Sequence, residues 1–118
     1  MKQHAAIKRM NGAVIIPAGK FGGSLRYADL RYADLVGADL TGANLQYANL
    51  RDADLDFSCW PLWCGSFDVT VSMRHVYQLC YHLCKLRNSS KTFRVIRAFL
   101  KPYANRFHRI GVDVEKIG

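Results

Sequence analysis

Between residues 28 and 55 apolar and polar positions recur with a period of five: Ala, then Asp or Asn, then Leu, then two variable residues, with Leu30, Leu35, Leu40, Leu45, Leu50 and Leu55 in step. Gly23 and Leu25 extend the register one unit upstream. Five matches neither the 3.6 residues of a helical turn nor the alternation of a strand, so an internal repeat outranks local propensity. The chain must turn once per repeat. Upstream, Asn11-Gly12 separates two short apolar stretches and signals a hairpin. Downstream the period changes to that of a helix. From Ser72 as cap to about Leu86, Met73, Val76, Tyr77, Leu79, Cys80, Tyr81, Leu83, Cys84 and Leu86 share one broad face. After Asn88-Ser89-Ser90, a second helix is predicted from Lys91 to about Lys101, with Pro102 breaking or restarting it, Tyr103 to Arg109 forming one further turn or two, and Ile110 to Gly118 as a frayed tail.

Ala-Asp/Asn-Leu in tandem resembles the pentapeptide-repeat family, whose chain coils into a right-handed, square-sided β-helix. The resemblance implies four repeats per coil, with Leu and the preceding Ala inward. The expected fold is a right-handed quadrilateral β-helix of about two coils over residues 23–60. A strand or hairpin lead-in over 1–22 precedes it, and an aromatic junction with a C-terminal α-helical cap over 61–118 follows. Leu25, Leu30, Leu35, Leu40, Leu45, Leu50 and Leu55 form the core column. Coils ~4.8 Å apart bring residues twenty apart into vertical register, giving outward ladders of Tyr27 over Tyr47, Arg31 over Arg51 and Asp34 over Asp54. Trp60 falls where Leu40 predicts another Leu, and Pro61 reads as a stop. Cys59 to Phe67 then packs across the coil end. That Cys-Trp-Pro-Leu-Trp-Cys-Gly-Ser-Phe stretch, with its helices, is similar to an extension of small bacterial and phage pentapeptide-repeat proteins.

The formal net charge of +8 is unevenly spread: +4 over residues 1–22, −3 over 23–58 and +7 over 59–118. Lys91, Arg94, Arg97 and Lys101 fall on one arc of the second helix, a candidate partner-binding face together with the Tyr27, Tyr47, Arg31 and Arg51 ladders. No signal-peptide pattern and no run of eighteen apolar residues is present, so a cytoplasmic protein with no membrane partner and reduced cysteines is expected. Cys59, Cys64, Cys80 and Cys84 are a lesser candidate for a zinc-stabilised structural site, although their spacings are not those of zinc ribbons or fingers. His75 and His82, two turns apart, are read as solvated rather than as ligands.

No Gly-rich phosphate loop, H-E-x-x-H or G-x-S-x-G is present, and the regularly spaced Asp residues suit surface turns better than a paired-carboxylate site. A non-enzymatic binding protein without a cofactor is expected. Some family members imitate B-DNA and occupy the DNA site of type II topoisomerases, and small members of phages and mobile elements antagonise host systems such as CRISPR nucleases. The resemblance therefore implies a protein–protein interaction module, a small inhibitor or modulator of a host protein or nucleoprotein machine, of anti-CRISPR or topoisomerase-antagonist type. Two coils reach only about 10 Å, about three base pairs, and the net charge has the wrong sign for a DNA mimic. An end-to-end homodimer, common in the family, would partly restore both. The alternative function is nucleic-acid binding through the basic helix.

Overall fold

The computed structural model describes residues 7–9, 14–16 and 25–118, the two short segments by their backbone. Asn11-Gly12 and Gly23, singled out by the sequence, lie outside the described residues. Among the described residues three strands and two α-helices follow in order: β1 (Ile7–Arg9), β2 (Val14–Ile16), β3 (Ala38–Asp39), α1 (Met73–Cys84) and α2 (Lys91–Ala104). They belong to two compact units, Met1–Val71 and Ser72–Gly118, each taken by itself below.

In the first unit each repeat closes a tight turn. The amide of Ala28 donates to the carbonyl of Leu25, and the same bond recurs from Ala33, Ala38, Ala43, Ala48, Ala53 and Ser58 to the Leu three residues before. The third residue of most turns has positive φ, about 60° at Tyr27, Tyr32, Tyr47, Asp52 and Phe57 and 68° at Gly37, the signature of a type II turn. Left-handed backbone costs a non-glycine residue roughly 1–2 kcal/mol, so repeated pairing and burial must offset it. The Asp and Asn residues contribute to that pairing. The side chains of Asp29, Asp34, Asp39, Asn44, Asn49 and Asp54 each accept the amide two residues on. Such an Asx turn is the reason a short polar acceptor precedes every Leu.

Between turns the chain pairs with itself twenty residues on. Parallel bridges join Asp29 to Asn49, Asp34 to Asp54 and Asp39 to Cys59. The amide of Leu30 donates to Asn49 and that of Asn49 to Ala28, with the same exchange at Leu35, Asp54 and Ala33. Leu25, Leu30, Leu35, Leu40, Leu45, Leu50 and Leu55 are all buried, with Ala28, Ala38, Ala48 and Ala53 between them. On the other side of β3, β1 pairs antiparallel, Lys8 opposite Asp39, and β2 pairs with β1 through a bulge between Ile7 and Lys8. β1 therefore occupies the strand edge that Ala38–Asp39 would otherwise leave open.

Pro61 does not stop the ladder. Leu40 donates to Cys59, Leu45 to Gly65 and Leu50 to Thr70, and Asn49 bridges Thr70, a separation of twenty-one instead of twenty. One residue is inserted around a short 3-10 turn at Cys64–Ser66. Trp60, Val69 and Val71 pack on the leucine core. Pro is tolerated because residue 61 follows the central position, where the repeats spend the amide on the local Asx side chain and not on the ladder; its fixed φ also suits that turn position. The chain from Cys59 to Phe67 is thus part of the stack, and Leu62, Trp63 and Phe67 are exposed, contrary to the buried junction expected.

The second unit is a helical pair. α1 begins at Ser72, whose amide donates to His75 Nδ1 at 3.3 Å. This reciprocal cap buries a histidine read from the sequence as solvated. Ser90 caps α2 by accepting the Phe93 amide, and α2 runs through Pro102 to Ala104. Tyr81, Cys84, Ala104, Phe107 and Ile117 form its core. The C-terminus is not frayed. Asn105 holds Ile117 through both amide atoms, at 2.7 and 3.0 Å, and the Tyr81 hydroxyl donates to the Glu115 carbonyl. No helix among the described residues is long and apolar enough to cross a membrane.

Candidate interaction surfaces

In the first unit, the left-handed turn position that follows Arg26 and Gln46 projects Tyr27 and Tyr47 outward. Their rings stack, centroids 5.1 Å apart and 8° from parallel, because twenty residues bring them one above the other. The Arg26 guanidinium lies 5.4 and 5.7 Å from the two rings, within cation–π range. Arg31 forks onto Asp29 through two bonds of 2.9 Å. Those bonds hold the Asp29 carboxyl below its usual range and raise the Arg31 guanidinium. Arg31 and Arg51 therefore do not stack as two bare charges: Arg31 is neutralised within its own turn, while Arg51 is exposed. The Asp34 and Asp54 carboxylates are likewise each bonded within their own turns.

In the helical unit the four cations of α2 separate. Lys91 and Arg94 are exposed, Arg97 and Lys101 half-buried. Arg97 Nε donates to the Cys84 carbonyl at 3.0 Å, and the Cys84 thiol points back at the Arg97 carbonyl. A guanidinium on the last carbonyls of α1 complements the negative end of that helix. Arg97 is thus committed to joining α1 and α2, where helical spacing alone placed it on an outward arc. The expected apolar faces also divide. Cys80, Tyr81, Cys84 and Leu100 are used in the core, but Val95, Ile96, Phe99 and Tyr103 of α2 are exposed, as are Leu79 of α1 and Leu86 just beyond its end. Phe99 and Tyr103 lie together, ring centroids 6.1 Å apart.

Of the remaining candidates, Cys59 and Cys64 belong to the first unit, Cys80 and Cys84 to the second, and all four are free thiols. Among the described residues no three of His, Cys, Asp and Glu gather as a metal-holding group. Burial pushes the Cys84 thiol up, and the nearby Arg97 charge offsets this in part. His82 is exposed beside the Phe107 ring. Two residues that sequence reasoning passed over, Arg26 and Arg87, enter the surfaces. Arg26 was legible from its place before a ladder tyrosine, whereas Arg87 sits in a loop whose path no periodicity gives.

Residues 24–56 match the family model described as pentapeptide repeats (8 copies). Comparison with the curated proteins and with the solved structures finds no match.

Proposed function

We infer, from the premise that this is a pentapeptide-repeat protein, that it is a non-enzymatic interaction module whose partner is a protein with an acidic surface. The single observation that carries this reading is the face of α2 on which Val95, Ile96, Phe99 and Tyr103 are exposed, on a helix that bears four cations and no acid. Large exposed apolar side chains grouped together mark interaction sites, and uncompensated positive charge selects the sign of what covers them. The first unit carries an outward Tyr27/Tyr47 stack of its own. A small modulator of a host protein or nucleoprotein machine is the role these surfaces suit. The homodimer implied by the family is part of this proposal.

A second reading, nucleic-acid binding, is supported by the exposed Lys91 and Arg94. It fits less well, because Arg97 is held by Cys84 and Val95 and Phe99, each 69% exposed, put apolar side chains on the surface of the same helix. Affinity capture with the full chain, with and without nuclease, separates the two. A partner retained after digestion supports the module; a complex that dissolves on digestion supports nucleic acid and overturns it.

A further inference from the structure

Where α1 ends and α2 begins, Leu86, Arg87, Asn88, Ser89, Phe93, Arg94 and Arg97 line an open groove of about 490 Å³. We propose that this groove is the docking site for an acidic segment of the partner protein: an apolar side chain seated against Leu86 and Phe93, with flanking carboxylates held by Arg87, Arg94 and the remaining guanidinium nitrogens of Arg97. The proposal rests on the reading of the protein as an interaction module and adds the site and the chemistry of its ligand.

Five observations carry it. All three cations in the groove are arginines, whose planar forks suit bidentate carboxylate recognition better than lysine does. Among the described residues neither Arg87 nor Arg94 has an ion pair or side-chain hydrogen bond. Nor does the sequence supply a local counter-charge, because no Asp or Glu occurs between Asp68 and Asp113 while nine Lys and Arg do. Arg97 is already fixed in place by its bond to the Cys84 carbonyl, so one of the three forks is ordered before a ligand arrives and loses less freedom on binding. The apolar floor favours a peptide over a bare anion. Phe93 is the only aromatic residue lining the groove, a poor platform for successive stacked bases.

The test is fluorescence anisotropy of the full chain with labelled short peptides in which Asp and Glu flank one Leu, Phe or Trp. Parallel arms use the same peptides with Ser at the centre, a single-stranded oligonucleotide of equal charge, and inorganic phosphate as competitor. Saturable peptide binding is expected, weakened about tenfold or more by the double variant Arg87→Gln, Arg94→Gln with unchanged melting temperature, and weakened again by the Ser-centred peptides. If the double variant binds the peptides as well as the wild type does, the groove is wrong and the module reading stands. If the oligonucleotide binds and the peptides do not, both fall. Loss of binding to phosphate competition alone, with Ser-centred peptides binding equally, reduces the groove to a simple anion site and overturns the docking of an apolar side chain.

Discussion

Residue by residue, the repeats trade backbone strain for pairing, and the trade is measurable. Tyr32 sits at φ 62° with its side chain exposed, so Tyr32→Gly removes the left-handed penalty and loses little packing. Against the greater chain entropy of Gly, a net gain of roughly 0.5–1 kcal/mol is expected. Tyr32→Val, with a β-branched residue forced into that region, lowers the melting temperature. Tyr47 differs because its ring is stacked on Tyr27, so Gly there gains less. The carboxylates give a pH test. The Thr41 hydroxyl and then its amide hold the Asp39 carboxyl below the usual range, and Arg31 does the same for Asp29. Because the folded values are depressed, these groups contribute stability above the ordinary carboxylate range of about 4, and it is lost as pH falls through the folded values. Asp39→Asn keeps an acceptor for the Thr41 amide but cannot ionise. Its melting temperature should lie below that of the wild type at neutral pH, and the difference should close in acid.

At the level of elements, the stack was readable because a period of five leaves one way to bury every Leu. Leu45→Asp places an uncompensated charge in that column. It should cost several kcal/mol and abolish cooperative folding, checked by circular dichroism and thermal melting. What the sequence concealed has particular causes. Pro61 looks like a stop only if every amide serves the ladder, and the amide that follows the central Leu of each repeat does not. The insertion before Gly65 is set by space, since a Cβ there would sit 2.7 Å from the Ala43 carbonyl; Gly65→Ala should therefore destabilise this unit sharply while sparing α1 and α2. His75 as a cap and Asn105 as a tie for the C-terminus depend on tertiary geometry without periodicity. Helical spacing likewise put Arg97 outward, and only the end of α1 explains why it turns in. Arg97→Gln should lower stability by about 1.5–3 kcal/mol, whereas Arg94→Gln should leave the melting temperature unchanged.

For the whole molecule, the sequence assigned the apolar faces of both helices to the core, and the structure leaves a large part of them on the surface. A period shows that a face is apolar; it does not show what covers it. The proposed homodimer makes a simple prediction: sedimentation at low micromolar concentration should give twice the 13.4 kDa of one chain. The central claim is that recognition belongs to the helical unit and is directed at an acidic protein. The most direct measurement is quantitative affinity capture after nuclease digestion with three full-length baits: wild type, a Phe99→Glu, Arg94→Glu variant, and a Tyr27→Ser, Tyr47→Ser variant. The account predicts that the wild type and the tyrosine variant retain the same acidic protein and that the α2 variant loses it at unchanged melting temperature. Retention by the α2 variant with loss from the tyrosine variant would contradict it and move recognition to the coil.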